Sequence, residues 1–136
     1  MIVVNVFNDT ERKRLPRKHI QELVENVLQK YGLNHTIVNV IYVDDNTILR
    51  INKDFLKHNF VTDVITFDLT EKEELLGEIY ISADTAEKQS MEYNVSLSNE
   101  LKRLAVHGAL HLVGFNDSDE KSRKKMSELE NKFLGI

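Results

Sequence analysis

The sequence predicts a single compact domain in which a mixed β-sheet is packed by helices, with a metal site on a long helix and the turn that follows it. Three observations lead there. Runs rich in β-branched residues alternate with segments whose apolar residues recur at helical spacing. The chain of 136 residues is long enough for one proper core, so residues 1–136 are expected to form one domain. No internal repeat, low-complexity tract or interdomain linker breaks that alternation.

The first strand is expected from about Ile2 to Phe7; it lacks the basic start and long apolar stretch of a signal peptide. Pro16 sits where a first helical turn begins, Ile20, Leu23, Val24, Val27 and Leu28 give the helix its apolar stripe, and Gly32 closes it. Thr36 to Val43 is rich in β-branched residues and reads as a strand. Asp44, Asp45 or Asn46 then caps a helix carrying Ile48, Leu49, Ile51 and Phe55. Val64 to Leu69 and Leu75 to Ser82 are the next strands, and the acidic turn Thr70 to Glu74 between them predicts an antiparallel hairpin.

Past Ser82 or Asp84 the chain turns helical through roughly Tyr93. A Ser96 or Ser98 cap opens a long helix buried through Leu97, Leu101, Leu104, Ala105, Leu110 and Leu112. Ser118-Asp119-Glu120 begins a final charged helix whose apolar face is Met126, Leu129 and Phe133. On it, Lys121, Arg123, Lys124 and Lys125 read as a solvated face.

The long helix carries the chemistry. His107 and His111 lie in an otherwise apolar run, four residues apart and therefore on one helix face, so both imidazoles reach one ion. A lone histidine in such a run is usually a hydrogen-bonded core residue. Here Gly114 offers a left-handed exit from the helix, and Asp117, three residues on, returns as a third ligand. Three protein ligands leave the coordination sphere open, which marks a catalytic site rather than a structural one.

The chain has no cysteine, which excludes thiolate zinc structures, iron–sulfur clusters and disulfides. Two imidazoles and a carboxylate suit zinc, one ion per chain, although nickel, manganese or iron would also be accepted. A zinc protease would place a glutamate base beside the first histidine, and here that position is Gly108. Peptide hydrolysis is therefore disfavoured. RNA fits better, because its own 2′-hydroxyl can be the nucleophile while a metal polarises the phosphoryl oxygen or steadies the leaving group.

Composition sets limits. Apolar residues at 41% and charged residues at 29% are those of a globular protein in water, and no segment approaches membrane-spanning length. Missing cysteines and a missing export signal point to the cytoplasm. The net charge of −4 argues against a generic nucleic-acid binder and predicts weak affinity for free RNA. A cleft holding a divalent cation is nevertheless locally positive.

At this point the chain resembles the YbeY family of bacterial metal-dependent endoribonucleases. The family signature H-G-x-L-H-L-x-G-Y/F appears as His107 to Phe115. A segment N-x-x-[FY] followed by T-D-V-[LI]-[ST]-F appears as Asn52 and Phe55, then Thr62 to Phe67, and the strand G-[DE]-I-x-I as Gly77 to Ile81. The resemblance implies a compact α+β fold and a single-strand-preferring endoribonuclease. It further implies a role in ribosome biogenesis, through maturation of the small-subunit ribosomal RNA at its 3′ end. Implied partners are ribosomal RNA, the small ribosomal subunit, one of its proteins and a ribosome-associated GTPase, with no membrane.

Two positions depart from the family pattern. Asp117 stands where most members have a third histidine, and a carboxylate there should acidify bound water less than imidazole would. Leu56 stands where many members carry an arginine thought to meet phosphate; Lys57, Arg50 or Arg103 are the candidates to replace it, Arg103 because it shares the ligands' helix face. Asp63, in the T-D-V segment, is a candidate substrate-site residue that orients a ligand histidine through its second nitrogen or handles a proton, or else it caps the turn before the strand. His19, His35 and His58 are isolated and expected at the surface. Two alternatives to the nuclease stand beside it: a non-catalytic, metal-braced ribosome-assembly factor, and a metal hydrolase of another substrate class.

Overall fold

Alternation within the strands sets the layers of this protein. In the computed structural model, which describes residues 1–72 and 74–136, strand β2 (Thr36–Val43) buries Thr36, Val38, Val40 and Tyr42 on one face and sends Ile41 and Val43 to the other. Each face therefore needs a cover of helices. Strands β1 (Ile2–Asn8), β3 (Val64–Asp68) and β4 (Leu75–Ser82) complete a four-stranded sheet of order β1-β2-β4-β3 among the described residues. β1, β2 and β4 run parallel, and β3 pairs antiparallel with β4 from Val64 opposite Ile81 to Asp68 opposite Gly77. The sheet is mixed, as expected, and the hairpin is present. The expected acidic turn closes through a bridge between Glu71 and Glu74, while Glu73 lies outside the described residues.

One face is covered by α1 (Lys18–Lys30) and α4 (Leu97–Leu112), which build the larger core with β1, β2 and β4. The opposite face is covered by α2 (Asp45–Leu56), through a small cluster of Val43, Ile48 and Ile65. Helices α3 (Ala83–Glu92) and α5 (Glu120–Leu134) pack against α4. The caps match the sequence: Asp44, Ser82, Ser96 and Asp119 each accept a backbone N–H of the first turn, and Asp119 forms a capping box with Ser122. The start of α1 differs. Pro16 lies two residues before the first helical residue, its carbonyl taken by the Tyr42 hydroxyl at 2.5 Å, so the chain is pinned to the sheet before it coils.

Two glycines set how closely α4 approaches the sheet. A Cβ on Gly108 would lie 2.7 Å from Ile79 Cγ2, and one on Gly77 would lie 2.7 Å from Leu112 Cδ1. Ile79 is fully buried and branched at Cβ, so it has little room to yield. The glycine that stands where a protease would have its base thus faces the sheet, not the cleft.

Candidate metal centre

Nearly every side of α4 is buried, with Leu101, Leu104, Ala105, Val106, Ala109, Leu110 and Leu112 in the core. The remaining stripe, Arg103, His107 and His111, is partly exposed. After Val113 the chain reverses at Gly114, whose φ of +106° is costly for any residue with a Cβ. Phe115 N–H donates to the Leu110 carbonyl at 3.0 Å, and the Phe115 ring packs edge-on to Tyr31 at 5.2 Å. This anchored reversal carries Asp117 back over the histidines.

The three side chains converge. The Nε2 atoms of His107 and His111 are 3.0 Å apart, and Asp117 Oδ2 lies 3.3 Å and 3.6 Å from them. One ligand atom from each residue falls within 4.8 Å of the others, so the group can hold a metal ion. Ligand bonds of 2.0–2.1 Å in a tetrahedron put neighbouring donors about 3.3 Å apart, which these separations match.

Glu130 explains why the donors face inward. It is 6% exposed, and its Oε2 accepts from His107 Nδ1 at 2.7 Å while Oε1 accepts from Arg103 Nη1 at 3.2 Å. A proton held on Nδ1 leaves the Nε2 lone pair free for a cation. Burial is the largest single influence on His107 and pushes its pKa down. The hydrogen bond that His107 donates to Glu130 and the charges of Glu130, Asp117 and Asp63 outweigh it, and the net shift is upward.

Glu130 was not singled out by sequence reasoning. The available signal was its place on the apolar stripe of α5, adjacent to Leu129 and one turn from Met126 and Phe133, where a solvated glutamate would not be expected.

The other candidates divide. Asp63 lines the clefts on both sides of His107, with Oδ1 accepting from Val64 N–H at 2.8 Å and Oδ2 from Gln89 at 3.2 Å. It thus caps the start of β3, and the partner of His107 Nδ1 is Glu130. Arg103 lines the first cleft, its guanidinium shared between Glu130 and Asn131. Lys57 does not come to the site: it is the exposed left-handed C-cap of α2 and lines neither cleft. Leu56 does line the second cleft, and Arg50 lies near Thr47. Arg123, read from sequence as part of a solvated face, lines the first cleft and approaches the Asp117 carbonyl at 3.5 Å.

The first cleft, of about 460 Å³, also contains Glu100, which is 2% exposed and has one oxygen without a partner. Burial pushes its pKa up to about 7, against the pull of Arg103. The second cleft, of about 440 Å³, shares His107, Asp117 and Asp63 with the first, adds His111, and is also lined by His58, Phe60 and Thr62 of the loop between α2 and β3.

Comparison with known proteins gives a consistent result. A sequence model of the family described as Endoribonuclease YbeY matches residues 5–135. An Endoribonuclease YbeY of Bacteroides thetaiotaomicron is 35% identical over 134 residues, covering 96% of this chain and 98% of its own. One of Chlorobaculum tepidum is 37% identical over 131 residues, covering 96% and 95%. A solution structure of a Thermotoga maritima protein superposes with a TM-score of 0.67 at 27% identity, covering 98% of this chain and 90% of that one.

Proposed function

The chain belongs to the endoribonuclease YbeY family, and from that premise we propose that it is a metal-dependent endoribonuclease whose ion is held by His107, His111 and Asp117. The observation that carries the reading is the convergence of two Nε2 atoms and one carboxylate oxygen between two open clefts, within a fold whose relatives are described as endoribonucleases. Two imidazoles and a carboxylate suit zinc, one ion per chain, and would also accept nickel, manganese or iron. A bound divalent cation supplies Lewis-acid stabilisation of the charge that develops on a phosphoryl oxygen.

The protein's own groups do the remaining work. Glu130 keeps the His107 proton on Nδ1 and fixes the ring. Arg103 and Arg123 place positive charge along the first cleft, where a phosphate of the strand would lie. Gly108 is packed on Ile79, so the position that holds a glutamate base in zinc proteases carries no side chain here. RNA brings its own nucleophile in the 2′-hydroxyl, with a water as the other candidate, and the proton that either one loses would pass to solvent or to a cleft carboxylate such as Asp63. Asp63, between the two clefts, contributes negative charge that favours a cation at His107.

In this reading the strand is ribosomal RNA, cut during maturation of the small-subunit RNA at its 3′ end in the cytoplasm. The supporting physical argument is the net charge of −4, which suits an enzyme that meets RNA already presented on a particle rather than capturing it free. A small-subunit protein and a ribosome-associated GTPase are the partners that would present it. Labelled single-stranded fragments of the small-subunit RNA, the same fragments annealed to complements, and casein distinguish the substrate classes. Cleavage of the single strands alone, abolished by chelator and restored by zinc, is expected. Cleavage of casein without RNA cleavage would replace the nuclease with another hydrolase.

A further inference from the structure

We propose that the stacked rings of His58 and Phe60 form a platform on which a base of the single-stranded RNA substrate stacks beside the metal centre; this rests on the endoribonuclease reading. The two ring centroids are 5.1 Å apart with planes inclined by only 15°. Both residues are exposed, Phe60 by 55%, and neither belongs to a core cluster. Left uncovered, such a pair holds apolar surface in water without the gain that burial would bring.

The loop that carries the rings is held from beneath. Asn52, 1% exposed, donates through Nδ2 to the Phe60 carbonyl at 2.8 Å, and its own carbonyl accepts from His58 N–H at 3.1 Å. Lys57 makes the reversal between helix and loop in a left-handed conformation, with φ of +59°. One buried asparagine thus fixes the backbone at both ring positions while the rings stay free. Binding there loses little conformational entropy.

The rings line the same cleft as His107, His111 and Asp117. Among the described residues that lining includes no lysine or arginine, but it does include Asp63, Asp68 and Asp117. Away from the ion this cleft therefore offers a phosphate no cationic side chain among the described residues, whereas Arg103 and Arg123 line the other cleft beside Asp63, Glu100, Asp117 and Glu130. A ligand group that is flat, weakly charged and apolar on its faces suits the second cleft, and a nucleobase has those properties. Stacking on aromatic rings tolerates any base, because each presents a π face. It also discriminates against duplex, whose bases are already stacked on one another, so the platform provides a physical basis for single-strand preference.

The test is a titration of single-stranded RNA carrying 2-aminopurine, using the protein as purified and again with excess EDTA to hold cleavage back. Wild type should quench the probe; Phe60→Ala should weaken affinity about tenfold and raise KM with kcat little changed, while Phe60→Trp should retain affinity. An RNA with abasic positions should bind wild type no better than the intact RNA binds Phe60→Ala. Unchanged thermal unfolding of the variants keeps a folding defect apart. Equal affinity of wild type and Phe60→Ala, or equal loss in Phe60→Trp and Phe60→Ala, would overturn the platform while leaving a cleaving wild type as a nuclease. A wild type that neither binds nor cuts any RNA would overturn both.

Discussion

At His107 the residue that fixes the imidazole is Glu130. Its two oxygens are committed to different partners, one to His107 Nδ1 and one to Arg103, so the imidazole is held in one tautomer and one orientation. Glu130→Ala should lower zinc affinity by about 10–100-fold in a chelator competition, with the fold retained by circular dichroism. Glu100 lies at the same scale but acts on stability. Its carboxyl is raised to about 7 by burial, so between its ordinary value and about 7 the folded chain binds more protons than the unfolded one. The sign follows: stability is highest below the ordinary carboxylate range and falls as pH rises through that window, then stays flat. Glu100→Gln should therefore stabilise the protein at pH 8 by up to about 3 kcal/mol and leave it nearly unchanged at pH 4. Urea midpoints at the two pH values measure this, and a variant less stable at pH 8 would show that Glu100 has a partner when ionised.

Among the elements, α4 depends on two glycines for its seat on the sheet, and Gly108 is the more sensitive. Alanine normally stabilises a helix interior by up to about 1 kcal/mol over glycine. Here the added Cβ meets Ile79 at 2.7 Å, and the clash dominates. Gly108→Ala should cost about 1–3 kcal/mol in denaturant unfolding and should weaken metal binding with it, because His107 moves with the helix. The strands and helices themselves were largely legible in the sequence, since β-branched runs, apolar stripes and the caps Asp44, Ser82, Ser96 and Asp119 are local signals. Strand order was not. Nothing in the local pattern of β1 or β2 says that they lie side by side in parallel, or that β4 inserts between β2 and β3. The site divides in the same way. His107, His111 and Asp117 are linked by one helix turn and one glycine exit, whereas Glu130 reaches His107 across 23 residues and Arg123 reaches the cleft only because α5 packs on α4. Spacing along the chain carries no information about that packing.

For the whole molecule, charge is the controlling quantity. A net charge of −4 with Arg103 and Arg123 as the cations of the first cleft implies few neutralised phosphates and little counterion release. The logarithm of the affinity for free single-stranded RNA should fall with the logarithm of salt at a slope of about −1.4, two contacts at about −0.7 each. Arg123→Gln should reduce that slope to about −0.7, and a slope several-fold steeper would mean that a basic surface other than this cleft engages the strand. The central claim, that three side chains from α4 and the turn beyond it hold a working ion, is tested most directly by metal analysis of the purified wild type beside His111→Ala. About one zinc per chain in the wild type, absent from a folded variant that has also lost RNA cleavage, is the expected result. No bound metal in either protein after incubation with zinc, or equal metal and equal cleavage in both, would contradict it.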